Sequence, residues 1–312
     1  MQVVVIGGTG FVGAPFVRAL AERNDLVVVA SRDPRTAREG LPTRVTSSSL
    51  EPGELRSVLS GADAVVNLAG ENLASGRWTT ERKRRFRESR VGLTGSVVNL
   101  IGELPAERRP RVLVNASAIG FYGDTGEQTA DDDAASGEGY LARLCTDWEG
   151  AALEARAHGV RVAIPRLGIV LARGGGVLEQ METPFRMFAG GPIGSGRQWV
   201  SWIHRDDLVG ILLHAVDDTA LSGPFNAASP DPVRMSTFAA ALGQALGRPS
   251  WIPAPTFAMR LALGREKADS ILASSRVVPK RLLETGFTFG FPDLQGALRD
   301  LYAEPRPKAT TA

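Results

Sequence analysis

The feature that most constrains this chain is Gly7-Gly8-Thr9-Gly10-Phe11-Val12-Gly13, which follows the apolar run Val3–Ile6 and opens a stretch where Phe16, Val17 and Leu20 share one helical face. A tight strand-to-helix turn needs glycine where the backbone turns sharply, where something must approach closely and where helix packs on strand. Gly7 is placed for the turn, Gly10 for the approach of a pyrophosphate and Gly13 for the packing. The helix start offers unpaired N–H groups and a partial positive charge, which suit a phosphate. Gly7, Thr9, Gly10, Phe11, Val12 and Gly13 are therefore the first candidate binding residues.

Short Val- and Ile-rich runs recur at Val3–Ile6, Leu26–Ala30, Ala64–Leu68, Arg111–Val114 and Val160–Ile164. Continuous apolar runs, as opposed to alternating ones, mark strands buried on both faces. Helical patterns lie between them at 13–23, 51–60, 80–103 and 141–157. The βαβαβ order predicts an α/β fold, a Rossmann-like doubly wound parallel sheet with a smaller C-terminal lobe. Further on, 207–217, 235–247, 256–273 and 280–302 read as helices, and Pro224-Phe225-Asn226 starts a last strand. The glycine clusters in 173–198 read as loops. The expected division is a nucleotide-binding domain over 1–228, with 171–203 contributing to a substrate lobe, a small mostly helical domain over 229–303, and a disordered tail over 304–312.

The second strand ends Ser31-Arg32-Asp33. A guanidinium there suits the 2′-phosphate of NADP(H), through charge-assisted bonds. Asp33 would instead suit the ribose hydroxyls of NAD if the strand ended one residue later. The turn Asn67-Leu68-Ala69-Gly70 closes the strand Ala64–Leu68 beside the adenosine and ribose in such a fold. The basic stretch Arg77 to Arg90 has Glu81 and Glu88 interleaved, which fits a helix flanking the cofactor better than a nucleic-acid surface. Within it, Arg85 or Arg90 is placed to turn toward phosphate.

Composition narrows the setting. Net charge is +2, so no polyanion partner is implied. The one cysteine, Cys145, cannot form an internal disulfide; with no signal-peptide pattern at the N-terminus, a cytoplasmic location is expected. No run of 18 apolar residues occurs, so neither a membrane span nor a membrane partner is expected. No metal site is expected. Homodimerisation is left open.

With these motifs in place, the chain resembles the atypical epimerase-family branch of the short-chain dehydrogenases over nearly all of residues 1–302. The resemblance rests on the glycine loop, Asn67-Leu68-Ala69-Gly70-Glu71-Asn72, Arg77-Trp78, Ser89-Arg90, Trp148-Glu149, Arg166-Leu167-Gly168-Ile169-Val170-Leu171 and Gly174-Gly175-Gly176. It continues through Pro184-Phe185-Arg186, Gly190–Gln198, Ser201-Trp202-Ile203-His204, Pro279 and Gly286-Phe287. It implies NADP binding through the glycine loop, Ser31 and Arg32, Leu68 and Ala69, the region of Arg85 and Arg90, and Ile169. It does not imply a substrate, because fold does not fix function.

Short-chain dehydrogenase chemistry needs a Tyr proton donor, a Lys four residues later that lowers its pKa, and a Ser or Thr that holds the substrate oxygen. Ser117 lies just after the strand Arg111–Val114 and Tyr140 begins the next helix, so these are the candidate catalytic residues. Four residues after Tyr140 stands Leu144, not Lys, and Arg143 cannot shuttle a proton. Tyr140 is thus either the proton donor or an aromatic cap on the cofactor pocket. Ser117 is either a substrate or nicotinamide contact or a plain strand-end hydroxyl. Cys145 reads as a small buried hydrophobe. His204 reads as structural, ahead of a helix that Asp206 or Asp207 would cap. The glycine- and tryptophan-bearing segment 186–202 resembles a lid over a small-molecule substrate. Two functions follow: an NADP(H)-dependent oxidoreductase or epimerase on a small carbonyl or sugar-like substrate, or a non-catalytic NADP(H)-binding sensor.

Overall fold

The computed structural model describes residues 1–303; the expected disordered tail lies outside the described residues. Among the described residues the central sheet has eight parallel strands, seven of them in one path: β1 (Gln2–Ile6), β2 (Leu26–Ser31), β3 (Thr46–Ser49), β4 (Ala64–Asn67), β5 (Val112–Asn115), β6 (Arg161–Leu167) and β7 (Gly223–Ala227), with the two-residue strand Ser117–Ala118 pairing β6 off that path. Across the sheet they run β7-β6-β5-β4-β1-β2-β3. Strand order therefore reverses beside β1, whose Val5 pairs with Val29 on one side and Val66 on the other. A ligand cleft in such a sheet opens at the carboxyl ends of the strands at this reversal.

Successive residues of β1 face opposite layers, which explains the unbroken apolar run. Val3 and Val5 pack with Phe16, Val17 and Leu20 of α1 (Gly13–Glu22) and with Leu208, Ile211 and Leu212 of α8 (Arg205–Asp217). Val4 and Ile6 pack with Leu55 and Leu59 of α3 (Pro52–Leu59) and Val97, Val98 and Ile101 of α5 (Leu93–Gly102). A further core, with Leu178 and Phe185 of α7 (Gly176–Arg186), Trp202, Phe238 and Leu242 of α9 (Met235–Leu246) and Leu298 of α13 (Leu294–Tyr302), holds the C-terminal lobe.

Several elements differ from the sequence expectation. α2 (Pro34–Glu39) and β3 were not foreseen, because one is six residues long and the other reads Thr-Ser-Ser-Ser. α7 occupies part of the stretch expected to be loop. The helix expected over 80–103 is α4 (Thr80–Arg87) and α5 joined by a π-helical turn, Glu88–Gly92. Gly264, at φ 83°, splits 256–273 into α10 (Thr256–Leu263) and α11 (Arg265–Leu272). Gly286, at φ 76°, follows α12 (Lys280–Glu284) and interrupts the expected 280–302 helix before α13.

Candidate functional site

The glycine loop forms a cradle that side chains would fill. Gly7 turns at φ 81°, and its carbonyl accepts from the Gly10 N–H at 3.0 Å. A Cβ at Gly7 would lie 2.9 Å from the Ala69 nitrogen, and one at Gly13 would lie 2.1 Å from the Gly7 carbonyl oxygen. Leu68 and Ala69 are thereby pressed against the loop. Their turn is fixed by buried Asn67, whose side chain accepts from the Ala69 N–H at 3.2 Å and donates to Asn115 at 2.8 Å. α1 begins with no side-chain cap and no acidic residue in its first turn, so no side-chain charge offsets the positive end of its dipole.

At the end of β2, Asp33 caps α2. Its carboxylate accepts from the Arg35 and Thr36 N–H groups at 3.2 and 3.1 Å and from the Thr36 hydroxyl at 2.8 Å. These bonds, Thr36's foremost, hold its carboxyl below the usual range. Asp33 is thus committed to the helix, and its N–H lies 3.3 Å from the Ser31 hydroxyl. Arg32 is exposed and has no hydrogen bond or ion pair among the described residues.

Arg90 sits in the π-helical turn, a distortion that recurs at functional sites. Its guanidinium would be 2.8 Å from a Cβ at Gly70 and lies 5.3 Å from the Trp148 ring centroid. One terminal nitrogen is buried without a partner among the described residues. Burial lowers the Arg90 pKa below its ordinary value. A buried, unpaired cationic nitrogen beside the 67–70 turn fits an anionic ligand in the cleft. Arg85 is instead held 3.5 Å from the Glu71 carboxylate. Ile169 pairs in register with Trp202 and packs on the lobe core. Phe11 carries the glycine loop across to the lobe: a Cβ at Gly175 would lie 2.9 Å from its ring, and Arg205 is 5.5 Å from its centroid.

The family model described as NAD dependent epimerase/dehydratase family matches residues 3–228, spanning this cleft and the whole parallel sheet. The chain belongs to the NAD dependent epimerase/dehydratase family. A domain of unknown function, DUF1731, matches residues 254–301. The chain is 42% identical over 301 residues to an Arabidopsis thaliana protein, the chloroplastic homolog of epimerase family protein SDR39U1, covering 96% of this chain and 86% of that one. It is 35% identical over 305 residues to epimerase family protein YfhF of Bacillus subtilis, covering 97% and 99%. Its fold matches a crystal structure of the human epimerase family protein SDR39U1 with NADPH at TM-score 0.86 and 34% identity, covering 97% and 99%. The Arabidopsis relative is chloroplastic by name, so membership in this epimerase/dehydratase family assigns no single compartment.

Where short-chain dehydrogenases carry their proton-transfer groups, this epimerase-family chain is built differently. The Tyr140 hydroxyl donates to the Lys83 carbonyl at 3.1 Å, and its ring packs 5.5 Å from that of Trp78. Burial raises its pKa, the opposite of what a proton shuttle needs. Leu144 is buried, and Arg143 is exposed. Tyr140 lines a cleft of about 520 Å³ between Gly120–Asp124 and α11, whose Arg265, Asp269 and Ser270 face it; no residue of 186–202 lines that cleft.

Ser117 sits in a buried network. Its hydroxyl donates to Glu149 at 2.6 Å, and Arg166 grips the same carboxylate at 2.9 and 2.8 Å. Arg166 donates onward to the Tyr122 hydroxyl at 2.7 Å, which donates to Asn226 at 2.7 Å. Burial pushes the Tyr122 phenol up to about 12. Sequence reasoning gave Glu149, Arg166 and Tyr122 no role; the Trp148-Glu149 and Arg166-Leu167-Gly168 motifs were the available signal. Cys145 is buried beside this network, and burial with Glu149 raises its thiol to about 11, so it is inert.

His204 is structural, but it caps α8 itself where Asp206 or Asp207 was expected to: its Nδ1 accepts from the Asp206 N–H at 3.2 Å. Asp207 instead accepts from the Gly290 and Phe291 N–H groups at 2.7 and 2.9 Å. The segment after α7 is zipped to the lobe, with Ile252 N–H donating to Gly190 and Ala254 N–H to Pro192 at 3.0 and 2.9 Å. Trp199 stands between the guanidinium groups of Arg234 and Arg276, at 4.0 and 4.5 Å.

Proposed function

We propose that this chain binds NADP(H) across the carboxyl ends of β1, β2 and β4. The observation that carries the reading is the pairing at the end of β2: Asp33 is consumed in capping α2 while Arg32 is left free and exposed. An acidic residue free to hold the ribose hydroxyls would favour NAD; a free guanidinium favours the 2′-phosphate. The glycine cradle would hold the pyrophosphate, Leu68 and Ala69 the adenosine side, and Arg90's unpaired nitrogen an anionic group. The NADPH in the human relative's structure supports the same choice. When bound, the cofactor supplies hydride chemistry.

Of the two functions, nucleotide binding without fast turnover is the one this geometry favours, because Tyr140 is bonded to Lys83 and no lysine follows it on α6 (Tyr140–Leu153). A slower oxidoreductase or epimerase reading is supported by the Ser117–Glu149 bond, a hydroxyl paired to a carboxylate where a substrate oxygen is held in related chemistry. Its small carbonyl or sugar-like substrate would enter the Tyr140 cleft, with the 186–202 segment serving as a wall more than a lid. Incubation with NADPH and a panel of carbonyl compounds tests both. The favoured reading expects tight NADPH binding and no turnover; NADPH oxidation above the protein-free rate with any of them, retained in Tyr140→Phe, selects the second.

A further inference from the structure

α10 carries Phe257, Met259, Leu261 and Leu263, yet none of its residues is buried. Phe257 and Leu261, one turn apart on one face, are each 74% exposed, and Trp251 just ahead of the helix is 77% exposed. Met187, Phe188 and Ile252 are exposed as well. The Ile252 N–H donates to the Gly190 carbonyl at 3.0 Å, and the Arg248 guanidinium lies 4.6 Å from the Phe188 ring centroid, so the segments after α7 and before α10 form one surface. A helix apolar on all sides is ordinarily buried, and a contiguous apolar patch marks an interaction site.

Charge selects the partner. From Gly247 to Arg265 the chain holds three arginines, Arg248, Arg260 and Arg265, and no acidic residue. All three are exposed. Asp269 of α11 holds Arg260 at 2.8 Å and lies 3.7 Å from Arg265, and the face stays net positive. A second copy docking by two-fold symmetry would set these arginines against their equivalents. An exposed tryptophan with apolar neighbours and flanking arginines suits the boundary of a bilayer with negative headgroups.

We infer that the α10 face docks peripherally on an anionic lipid bilayer. Trp251, Phe257 and Leu261 enter the headgroup–acyl boundary, and the arginines meet the headgroups. No described helix is long and apolar enough to cross a membrane, so the contact is a surface one. The expectation of no membrane partner rested only on the lack of a spanning segment.

The test is co-sedimentation of the full chain with phosphatidylcholine vesicles, with and without phosphatidylglycerol. Pelleting is expected with the anionic vesicles, much less with the neutral ones, and it weakens as salt is raised. The double variant Phe257→Ser/Leu261→Ser lowers the partition coefficient about ten-fold while leaving Tm and NADPH binding unchanged. No pelleting with anionic vesicles, or equal pelleting of the double variant, overturns the inference. So does sedimentation equilibrium showing a dimer that the double variant dissolves, because the occupant is then a second copy.

Discussion

Replacing Glu149 by Gln tests whether the network behind Ser117 is what holds the C-terminal half of the sheet together. The side chains of Glu149 and Arg166 are 6% and 5% exposed and meet through two parallel bonds. Burial works against the Arg166 charge, and the hydrogen bonds and charge of Glu149 more than reverse this, raising its pKa. Glutamine keeps the shape and still accepts from Ser117, so no cavity opens and that bond survives. What is lost is the countercharge and one acceptor, because the new amide NH2 faces the Arg166 Nη2 donor that the second carboxylate oxygen accepted from. Arg166 keeps the Tyr122 hydroxyl at 2.7 Å and the Asp132 carbonyl at 3.4 Å, neither of them ionic. Stranding one member of a buried pair costs about 3–5 kcal/mol. At roughly 2–4 °C per kcal/mol for a chain of this size, Tm falls by roughly 6–20 °C. Thermal and urea unfolding followed by circular dichroism measure it. The double variant Glu149→Leu/Arg166→Met removes both charges and recovers most of the loss. A Glu149→Gln protein melting within about 2 °C of wild type would refute the reasoning.

Arg32→Ala is expected to weaken NADPH by roughly ten- to a hundred-fold while leaving NADH nearly unchanged, the worth of a charge-assisted bond; equal losses for both, by calorimetry, would remove Arg32 from the site. Gly13→Ala puts a methyl group onto the Gly7 carbonyl, so nucleotide binding should be lost even where far-ultraviolet dichroism shows the fold retained. Tyr140→Phe deletes one half-buried hydrogen bond, so Tm should change by only a few degrees and NADPH affinity by less than about two-fold; a large loss of NADPH affinity would restore Tyr140 to the site. Burial lowers the His204 pKa against the opposing charges of Asp206, Asp300 and Asp207. The folded protein thus resists protonation there, and stability should fall as pH drops through the ordinary imidazole range near 6.5. His204→Asn should flatten that part of the profile in Tm measured against pH.

The parallel sheet was legible because buried strands leave a plain signature: Val3–Ile6 and Ala64–Val66 are apolar throughout, and both faces are covered. β3 was hidden because an edge strand of Thr46–Ser49 needs little apolar content on its open side. The splits at Gly264 and Gly286 follow from positive φ, which a periodicity count over a long window passes over. In the site, the glycine cradle and the 67–70 turn are local and were readable. The proposed choice of Arg32 over Asp33 rests on α2, whose cap engages Asp33. The Ser117–Glu149–Arg166 network joins positions 32 and 17 residues apart through tertiary packing, so spacing alone carried no trace of it. Tyr140 fell where a catalytic tyrosine belongs, yet α4 captures its hydroxyl, a contact 57 residues away in sequence.

The most direct measurement is titration calorimetry of the purified, nucleotide-free chain with NADPH and with NADH. One site of micromolar or tighter affinity for NADPH, and distinctly weaker binding of NADH, is the expected result. Heat from neither dinucleotide, with the protein shown to be folded, would contradict the assignment of the cleft.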